Sequence, residues 1–101
     1  MTTNANDLTI RHNESESRFE ARLGDEMALA AYDLDGSTII FTHTEVPEAF
    51  EGKGVAGRLV QTALDEARRR KLKVVPQCAY VASWIERHSE YADLVSSDVS
   101  A

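Results

Sequence analysis

The spacing of apolar residues in this chain changes at Gly54. Before Gly54, apolar and polar residues alternate in short runs, which is typical of half-buried β-strands. After it, apolar residues recur every three or four positions, which is typical of an amphipathic helix. Three glycines, Gly52, Gly54 and Gly57, lie within six residues at this change. The sequence therefore predicts a run of strands that leads through a glycine-rich turn into a long helix.

Four strands are predicted before the change. Residues 8–12 and 18–23 alternate, and residues 38–44 are rich in β-branched and aromatic side chains. Residues 27–32 are rich in alanine, which favours a helix, but the short length and the flanking turns favour a buried strand. Asp35-Gly36 is typical of a hairpin turn. We therefore expect an antiparallel meander of four strands.

The second half predicts a helix from residue 54 to about residue 70, a strand at 73–76, a helix at 79–88 and a helical turn at 90–95. The apolar stripe of the first helix comprises Val55, Leu59, Ala63, Leu64 and Ala67, with Val60 on its edge. A strand reached through a helix lies parallel to the strand before it. The predicted fold class is therefore α+β, with a mixed sheet.

Charge and composition exclude several classes of function. The formal net charge is -6, which argues against nonspecific binding to nucleic acid and mildly favours cationic partners. No apolar run approaches the roughly 20 residues that span a membrane. The single Cys78 cannot form an internal disulfide, so we expect a cytoplasmic protein. We expect one domain at residues 8–95 with flexible tails at 1–7 and 96–101. Residues 1–7 do not have the pattern of a signal peptide.

The glycine-rich turn is suited to binding an anion. The first amides of a helix have no partner within the helix, and the helix dipole attracts negative charge to that end. The P-loop pattern is not present. Gly52, Gly54 and Gly57 match the letters of the dinucleotide fingerprint, but the predicted strands before them do not form its βαβ unit. The turn therefore predicts a phosphate site of another kind.

The segment from Glu51 to Ala56 resembles the pyrophosphate-binding motif of the GNAT acetyltransferases, Gln/Arg-x-x-Gly-x-Gly/Ala. Glu51 departs from it, because Gln or Arg is usual at that position. Residues 43–47, 78–81 and 88–95 add to the likeness. Together these segments are similar to a small, single-domain GNAT-like family, and the resemblance covers nearly the whole chain.

The resemblance implies a GNAT-like fold and an N-acetyltransferase that moves an acetyl group from acetyl-CoA to a primary amine, such as a protein lysine or an N-terminus. In that fold the fourth and fifth strands splay apart, and the pantetheine arm of coenzyme A lies between them. The residues implied to contact the cofactor are Val46, Gly52, Lys53, Gly54, Val55, Ala56, Gly57 and Arg58. The glycines and Ala56 would bind the pyrophosphate through backbone amides, and Lys53 and Arg58 would add positive charge.

Three residues are candidates for catalysis. His43 and Glu45 are two positions apart, so an unbroken strand places both on one face, which is also the face of Ile39 and Phe41. Either could take a proton from the incoming amine, His43 more readily near neutral pH. The alternative is a hydrogen-bonded histidine and an exposed glutamate at a strand end. Cys78 follows the fifth strand and could be an acetyl-accepting nucleophile, a thiol beside the cofactor sulfur or a packing residue.

The acceptor is not evident from the sequence. The chain lacks the helices that usually follow the first GNAT strand and cover the acceptor side, so we expect an open acceptor groove. We expect a monomer or weak dimer, with no metal, nucleic acid or membrane. Two alternatives to an enzyme stay open: a module that binds coenzyme A with little or no catalysis, and an interaction domain whose glycine turn is purely structural.

Overall fold

The computed structural model describes residues 9–50 and 54–95. These residues form a five-stranded sheet in the order β1-β2-β3-β4-β5, so every strand lies beside its neighbour in sequence. The strands are β1 (Thr9–Asn13), β2 (Arg18–Leu23), β3 (Glu26–Asp35), β4 (Thr38–Glu45) and β5 (Lys73–Pro76). The first four are antiparallel, and β5 lies parallel to β4. The predicted meander and parallel strand are confirmed, and β3 extends beyond the predicted residues 27–32 at both ends.

In the described part of the chain, two α-helices accompany the sheet, α1 (Val55–Arg69) and α2 (Ala79–Arg87). Short 3-10 helices lie at Glu14–Glu16, Glu48–Phe50 and Ser89–Leu94. Helix α1 ends in Arg68 and Arg69, whose charge suits the negative end of the helix dipole. Among the helices described, none combines the length and the apolar character that crossing a bilayer requires.

Both helices lie on one face of the sheet. Side chains of residues paired across neighbouring strands share a face, and Ala28, Ala30 and Tyr32 of β3 are buried. On the same face lie Phe19 and Ala21 of β2, Ile39 and Phe41 of β4, and Val74 of β5. All of these belong to a single core cluster with the buried residues of α1 and α2. The predicted stripe of α1 is buried in full, so the domain has two layers.

The opposite side of the sheet carries no helix within residues 9–50 and 54–95. We call it the open face. Its strand residues are Thr9, Arg11, Asn13, Arg18, Glu20, Arg22, Met27, Leu29, Ala31, Asp33, Asp35, Thr38, Ile40, His43, Glu45, Lys73 and Val75. Its apolar members are half-buried and lie outside the core cluster. This uncovered side agrees with the expected lack of covering helices.

A β-bulge in β4 changes which residues face the helices. Tyr32 pairs with Phe41 while Ala31 pairs with His43, so Thr42 is an extra residue in β4. Because Ala31 and Tyr32 point to opposite sides of β3, Phe41 and His43 do too. The expectation that His43 and Glu45 share the face of Ile39 and Phe41 is therefore wrong, because it assumed an unbroken strand.

The bulge also places Thr44 on the helix side of the sheet. Thr44 pairs with Ala30, which is buried on that side. Its neighbours His43 and Glu45 consequently lie on the open face. The end of β4 thus carries Thr44 on the helix side of the sheet and His43 and Glu45 on the open face.

His12 is held in a partly buried position at the far end of the sheet. Its Nε2 lies 2.5 Å from the Tyr32 hydroxyl, and its ring stacks on Phe19 with centroids 4.1 Å apart. Burial, reinforced by the positive charge of Arg70, lowers the pKa of His12 below its usual value. The folded protein therefore binds this proton less readily than the unfolded chain does.

We expect acid to destabilise the protein partly through His12. Because its pKa is lower in the folded state, its contribution is complete above the ordinary histidine pKa of about 6.5 and is lost as pH falls towards the lowered value. Urea unfolding at several pH values between neutral and mildly acidic conditions measures this slope. A His12→Gln variant should show a shallower slope, and an unchanged slope would contradict the assignment.

Candidate functional site

A pocket of about 450 Å³ lies at the N-terminal end of α1. Its walls come from the segment after β4, from the first turn of α1 and from the first turn of α2. The lining residues are Val46, Phe50, Gly54, Val55, Ala56, Gly57 and Tyr80. The pocket therefore brings together the described residues that were predicted to contact a cofactor, except Arg58. Gly52, Lys53 and Glu51 lie outside the described residues.

Among the described residues, the start of α1 leaves backbone amides without an acceptor in the helix at this pocket. Gly54 is the N-cap and adopts a left-handed conformation with φ of 71°, which glycine adopts without strain. The first helical hydrogen bond runs from the Arg58 amide to the Gly54 carbonyl, at 3.1 Å. The amides of Val55, Ala56 and Gly57 are thus not used within the helix. Gly54 has no side chain that could cap this end of the helix. An uncapped helix N-terminus attracts anions.

The individual residues differ in what they can offer an anion. The side chain of Val55 is buried in the core, so Val55 can contribute only its backbone. The amide of Arg58 is used within the helix, so a contribution from Arg58 would have to come from its exposed side chain. A Cβ atom added at Gly54 would have no neighbour within 4 Å, so the space beside it is open.

Gly57 has a structural role as well. A Cβ atom at Gly57 would lie 3.3 Å from the indole Nε1 of Trp84 in α2. Trp84 is buried and stacks on His88, with ring centroids 3.7 Å apart. The absence of a side chain at Gly57 therefore lets α2 approach α1 closely, which the sequence pattern did not reveal.

The parallel strands β4 and β5 separate next to the pocket. Their pairing ends at Phe41 and Pro76, after which the Cys78 amide donates a hydrogen bond to the Phe41 carbonyl at 2.9 Å. Beyond this point Val46 and Tyr80 line the pocket. The two strands therefore form a cleft that opens towards the first turn of α1.

Cys78 lies at the base of this cleft. Its half-buried thiol is 2.7 Å from the hydroxyl of Thr44, which reaches it from β4 because of the bulge. Sequence reasoning placed Cys78 near the site but missed Thr44 as its partner. Phe50 and Tyr80 were also missed as pocket residues, since only the packing of α1 and α2 brings them to the cleft.

His43 and Glu45 form a pair on the open face. Nε2 of His43 lies 2.8 Å from a carboxylate oxygen of Glu45, and the two side chains are 58% and 61% exposed. A carboxylate only accepts hydrogen bonds, so Nε2 is the donor and the proton of a neutral His43 lies there. Nδ1 then keeps its lone pair and can accept a proton.

Comparisons with known proteins found a matching family, similar sequences and a similar structure. The sequence profile of the family described as GCN5-related N-acetyl-transferase matches residues 18–94. Proteins named NATD1 from Xenopus tropicalis and Homo sapiens are each 30% identical over 84 residues, which span 80% of this chain and 77% and 74% of those proteins. A solution structure from Staphylococcus aureus, described as a GCN5-like putative N-acetyltransferase, superposes with a TM-score of 0.71 at 26% identity and covers 88% of both chains.

Proposed function

The chain belongs to the GCN5-related N-acetyltransferase family, and on this basis we propose that it transfers an acetyl group from acetyl-CoA to a primary amine. The observation that carries the proposal is the pocket at the start of α1, which adjoins the cleft between β4 and β5. A protein lysine or an N-terminal amine suits the uncovered sheet, because a large acceptor can reach it without displacing a helix.

The residues present fit coenzyme A. The unused amides of Val55, Ala56 and Gly57 would bind its diphosphate, and the left-handed Gly54 opens the turn for close approach. Val46 and Tyr80 would bound the pantetheine arm within the cleft. When bound, acetyl-CoA supplies an acetyl group activated as a thioester.

His43 would act as the general base for the incoming amine. The Glu45 carboxylate accepts the proton on Nε2 and orients the ring, so that Nδ1 faces away from Glu45 and can take a proton. In this arrangement the amine arrives on the open face, and the cofactor on the helix side.

Cys78 offers a second route, in which its thiol first accepts the acetyl group. A thiol nucleophile is activated by a nearby base, a positive charge or a helix N-terminus. Cys78 is the N-cap of α2, but the group that its sulfur contacts is the neutral hydroxyl of Thr44, which is not a base. We therefore favour direct attack by the amine, with Cys78 and Thr44 forming the base of the cleft.

We expect Cys78→Ala to retain turnover within about threefold of the wild type, because direct transfer needs no thiol. Initial rates with saturating acetyl-CoA measure this. Cys78→Ser is the matched control, since a hydroxyl can keep the contact with Thr44. A loss of turnover in Cys78→Ala, together with an acetylated wild-type protein in intact mass spectra, would establish the covalent route instead.

The proposed function is tested by mixing the protein with acetyl-CoA and a panel of amines and following the release of free coenzyme A. Amine-dependent release above the rate of spontaneous hydrolysis supports an acetyltransferase. One observation favours the alternative of a binding module: His43 and Glu45 are largely exposed, so water competes for their hydrogen bonds. Saturable binding of coenzyme A without release in the presence of any amine would favour that alternative.

A further inference from the structure

The open face is divided into three zones that follow the strands. Arg11, Arg18 and Arg22 lie on β1 and β2, apolar side chains lie on β3, and the His43–Glu45 pair lies on β4. We propose that this face binds an acidic peptide acceptor, with its amine at His43 and a carboxylate at Arg11 and Arg22. This inference rests on the proposed function and names the substrate class of the same site.

The strand register aligns the three zones. Arg11 pairs with Glu20, Glu20 with Leu29 and Leu29 with Glu45, so one row crosses four strands. Neighbouring strands are about 4.8 Å apart, so β4 lies about 10 Å from β2 and about 14 Å from β1. An extended peptide rises about 3.3 Å per residue. His43 pairs with Ala31 and Ala31 with Arg18, so Arg11 and Arg22 are also displaced along the strands from the His43 row, by about 7 Å and about 13 Å. Each therefore lies about 16 Å from His43, which places the carboxylate about five residues from the reacting amine.

The Glu20 carboxylate, which lies among these arginines, is already paired. Glu20 is only 3% exposed, and its carboxylate accepts hydrogen bonds from Arg18 at 2.7 Å and from Asn13 at 2.9 Å. These hydrogen bonds, that of Arg18 first, lower the pKa of Glu20, so it stays ionised and paired. Arg18 is thereby committed to Glu20, and the positive charge of Arg11 also helps to lower the pKa of Glu20.

Arg11 and Arg22 remain exposed on either side of this pair. Within residues 9–50 and 54–95, neither guanidinium has a hydrogen bond or a salt bridge. They give this end of the face a local positive charge in a chain whose net charge is -6. A carboxylate is the group that such guanidinium pairs bind well, because the hydrogen bonds are charge-assisted.

The middle zone suits the peptide between the two charged groups. Met27, Leu29 and Ala31 are half-buried and stay outside the core cluster. Because they occupy alternate positions on β3, they form a continuous apolar strip between the arginines and the His43–Glu45 pair. A peptide with apolar residues between its amine and its carboxylate would match all three zones.

The test compares peptide acceptors that differ at one position. Each has a free N-terminal amine and either a glutamate or a glutamine at position 6, about five residues of extended chain from the amine. We expect kcat/KM to be about tenfold higher for the glutamate peptide at low salt, the effect of one charge-assisted contact. The preference should shrink as salt is raised, because exposed charges are screened.

Variants separate this inference from the proposed function. Arg11→Gln with Arg22→Gln should reduce the preference to nearly one by lowering kcat/KM for the glutamate peptide. Arg87→Gln, which removes one positive charge in the last turn of α2, should keep the preference. Equal kcat/KM for both peptides in the wild type would overturn the acidic acceptor while leaving the acetyltransferase intact.

Binding gives a readout that does not need turnover. We expect the glutamate peptide to shift backbone amide resonances of β2, β3 and β4 in an isotope-labelled protein saturated with coenzyme A. Shifts confined to the helix side would overturn the inference. So would a sedimentation mass showing that the open face is covered by a second copy of the chain, with the dimer lost in the double arginine variant.

Discussion

We expect Gly54→Val to weaken coenzyme A binding by at least about 100-fold. Valine is strongly disfavoured at the φ of 71° that Gly54 adopts, so the turn must rearrange or hold a strained residue. Either outcome displaces the amides at the start of α1. Losing two charge-assisted hydrogen bonds to a phosphate costs about 3 kcal/mol, which is a factor of about 100. Isothermal titration calorimetry with coenzyme A measures the loss.

The fold itself should survive this change. A residue with a side chain costs about 1–2 kcal/mol in the left-handed region, and the space beside Gly54 is open. Gly36→Val is the matched control, because Gly36 has a φ of 60° with the same open surroundings but lies in the β3–β4 turn. It should show a similar loss of stability with unchanged binding. Wild-type affinity in Gly54→Val would refute the phosphate site.

A third variant separates conformation from bulk. Asparagine tolerates the left-handed region better than other residues with side chains, so Gly54→Asn should preserve the turn. Its side chain would project into the open space where a phosphate is expected. Binding that is reduced in Gly54→Asn without a loss of stability would locate the ligand beside Gly54.

The second large effect is expected for His43→Gln, which should lower kcat by about 100-fold or more with little change in the affinity for coenzyme A. Glutamine cannot accept the proton that Nδ1 of His43 is placed to take, and positioned general bases contribute about this much. Glu45→Gln should cost less, since His43 keeps its basic nitrogen and loses only its orienting partner. Initial rates with both substrates saturating measure these effects.

Which of His43→Gln and Glu45→Gln lowers kcat more shows which residue is the base. If Glu45→Gln is the more damaging change, Glu45 is the base and His43 only its neighbour. His88→Gln is the control for loss of an imidazole elsewhere, because His88 contacts the Trp84 carbonyl on the helix side of the sheet. Full activity of His43→Gln would remove the His43–Glu45 pair from the mechanism.

Local patterns were sufficient for the architecture. The spacing of apolar residues defined α1, and the β-branched run defined β4, because each signal depends on which residues a regular element buries. Alanines in β3 favoured a helix by propensity, yet burial against α1 outweighs that preference. The parallel arrangement of β5 followed from the helix that precedes it.

The face of His43 could not be predicted from the sequence. Residues 38–44 read as an unbroken strand, and the extra residue at Thr42 depends on how β4 pairs with β3. The bulge moves His43 to the open face and brings Thr44 to Cys78. A shift of one residue in the strand pairing thus moves each following side chain to the other side of the sheet. Nothing in the local sequence indicates such a shift.

The pocket depends on packing between elements far apart in sequence. Tyr80 reaches it because α2 packs closely on α1, which Gly57 permits by presenting no side chain to Trp84. The glycine spacing alone indicated an anion site but did not distinguish the conformational role of Gly54 from the packing role of Gly57. The distinction depends on the φ of Gly54 and on the contact between Gly57 and Trp84.

The most direct test is a titration of coenzyme A into isotope-labelled protein, followed through backbone amide resonances. If the start of α1 binds the diphosphate, the amides of Val55, Ala56 and Gly57 should shift saturably, together with that of Val46 at the cleft. The amides of Gly24 and Gly36, in turns outside the pocket, should stay in place. Saturable binding that leaves residues 54–57 unperturbed, or no binding at all, would contradict the account.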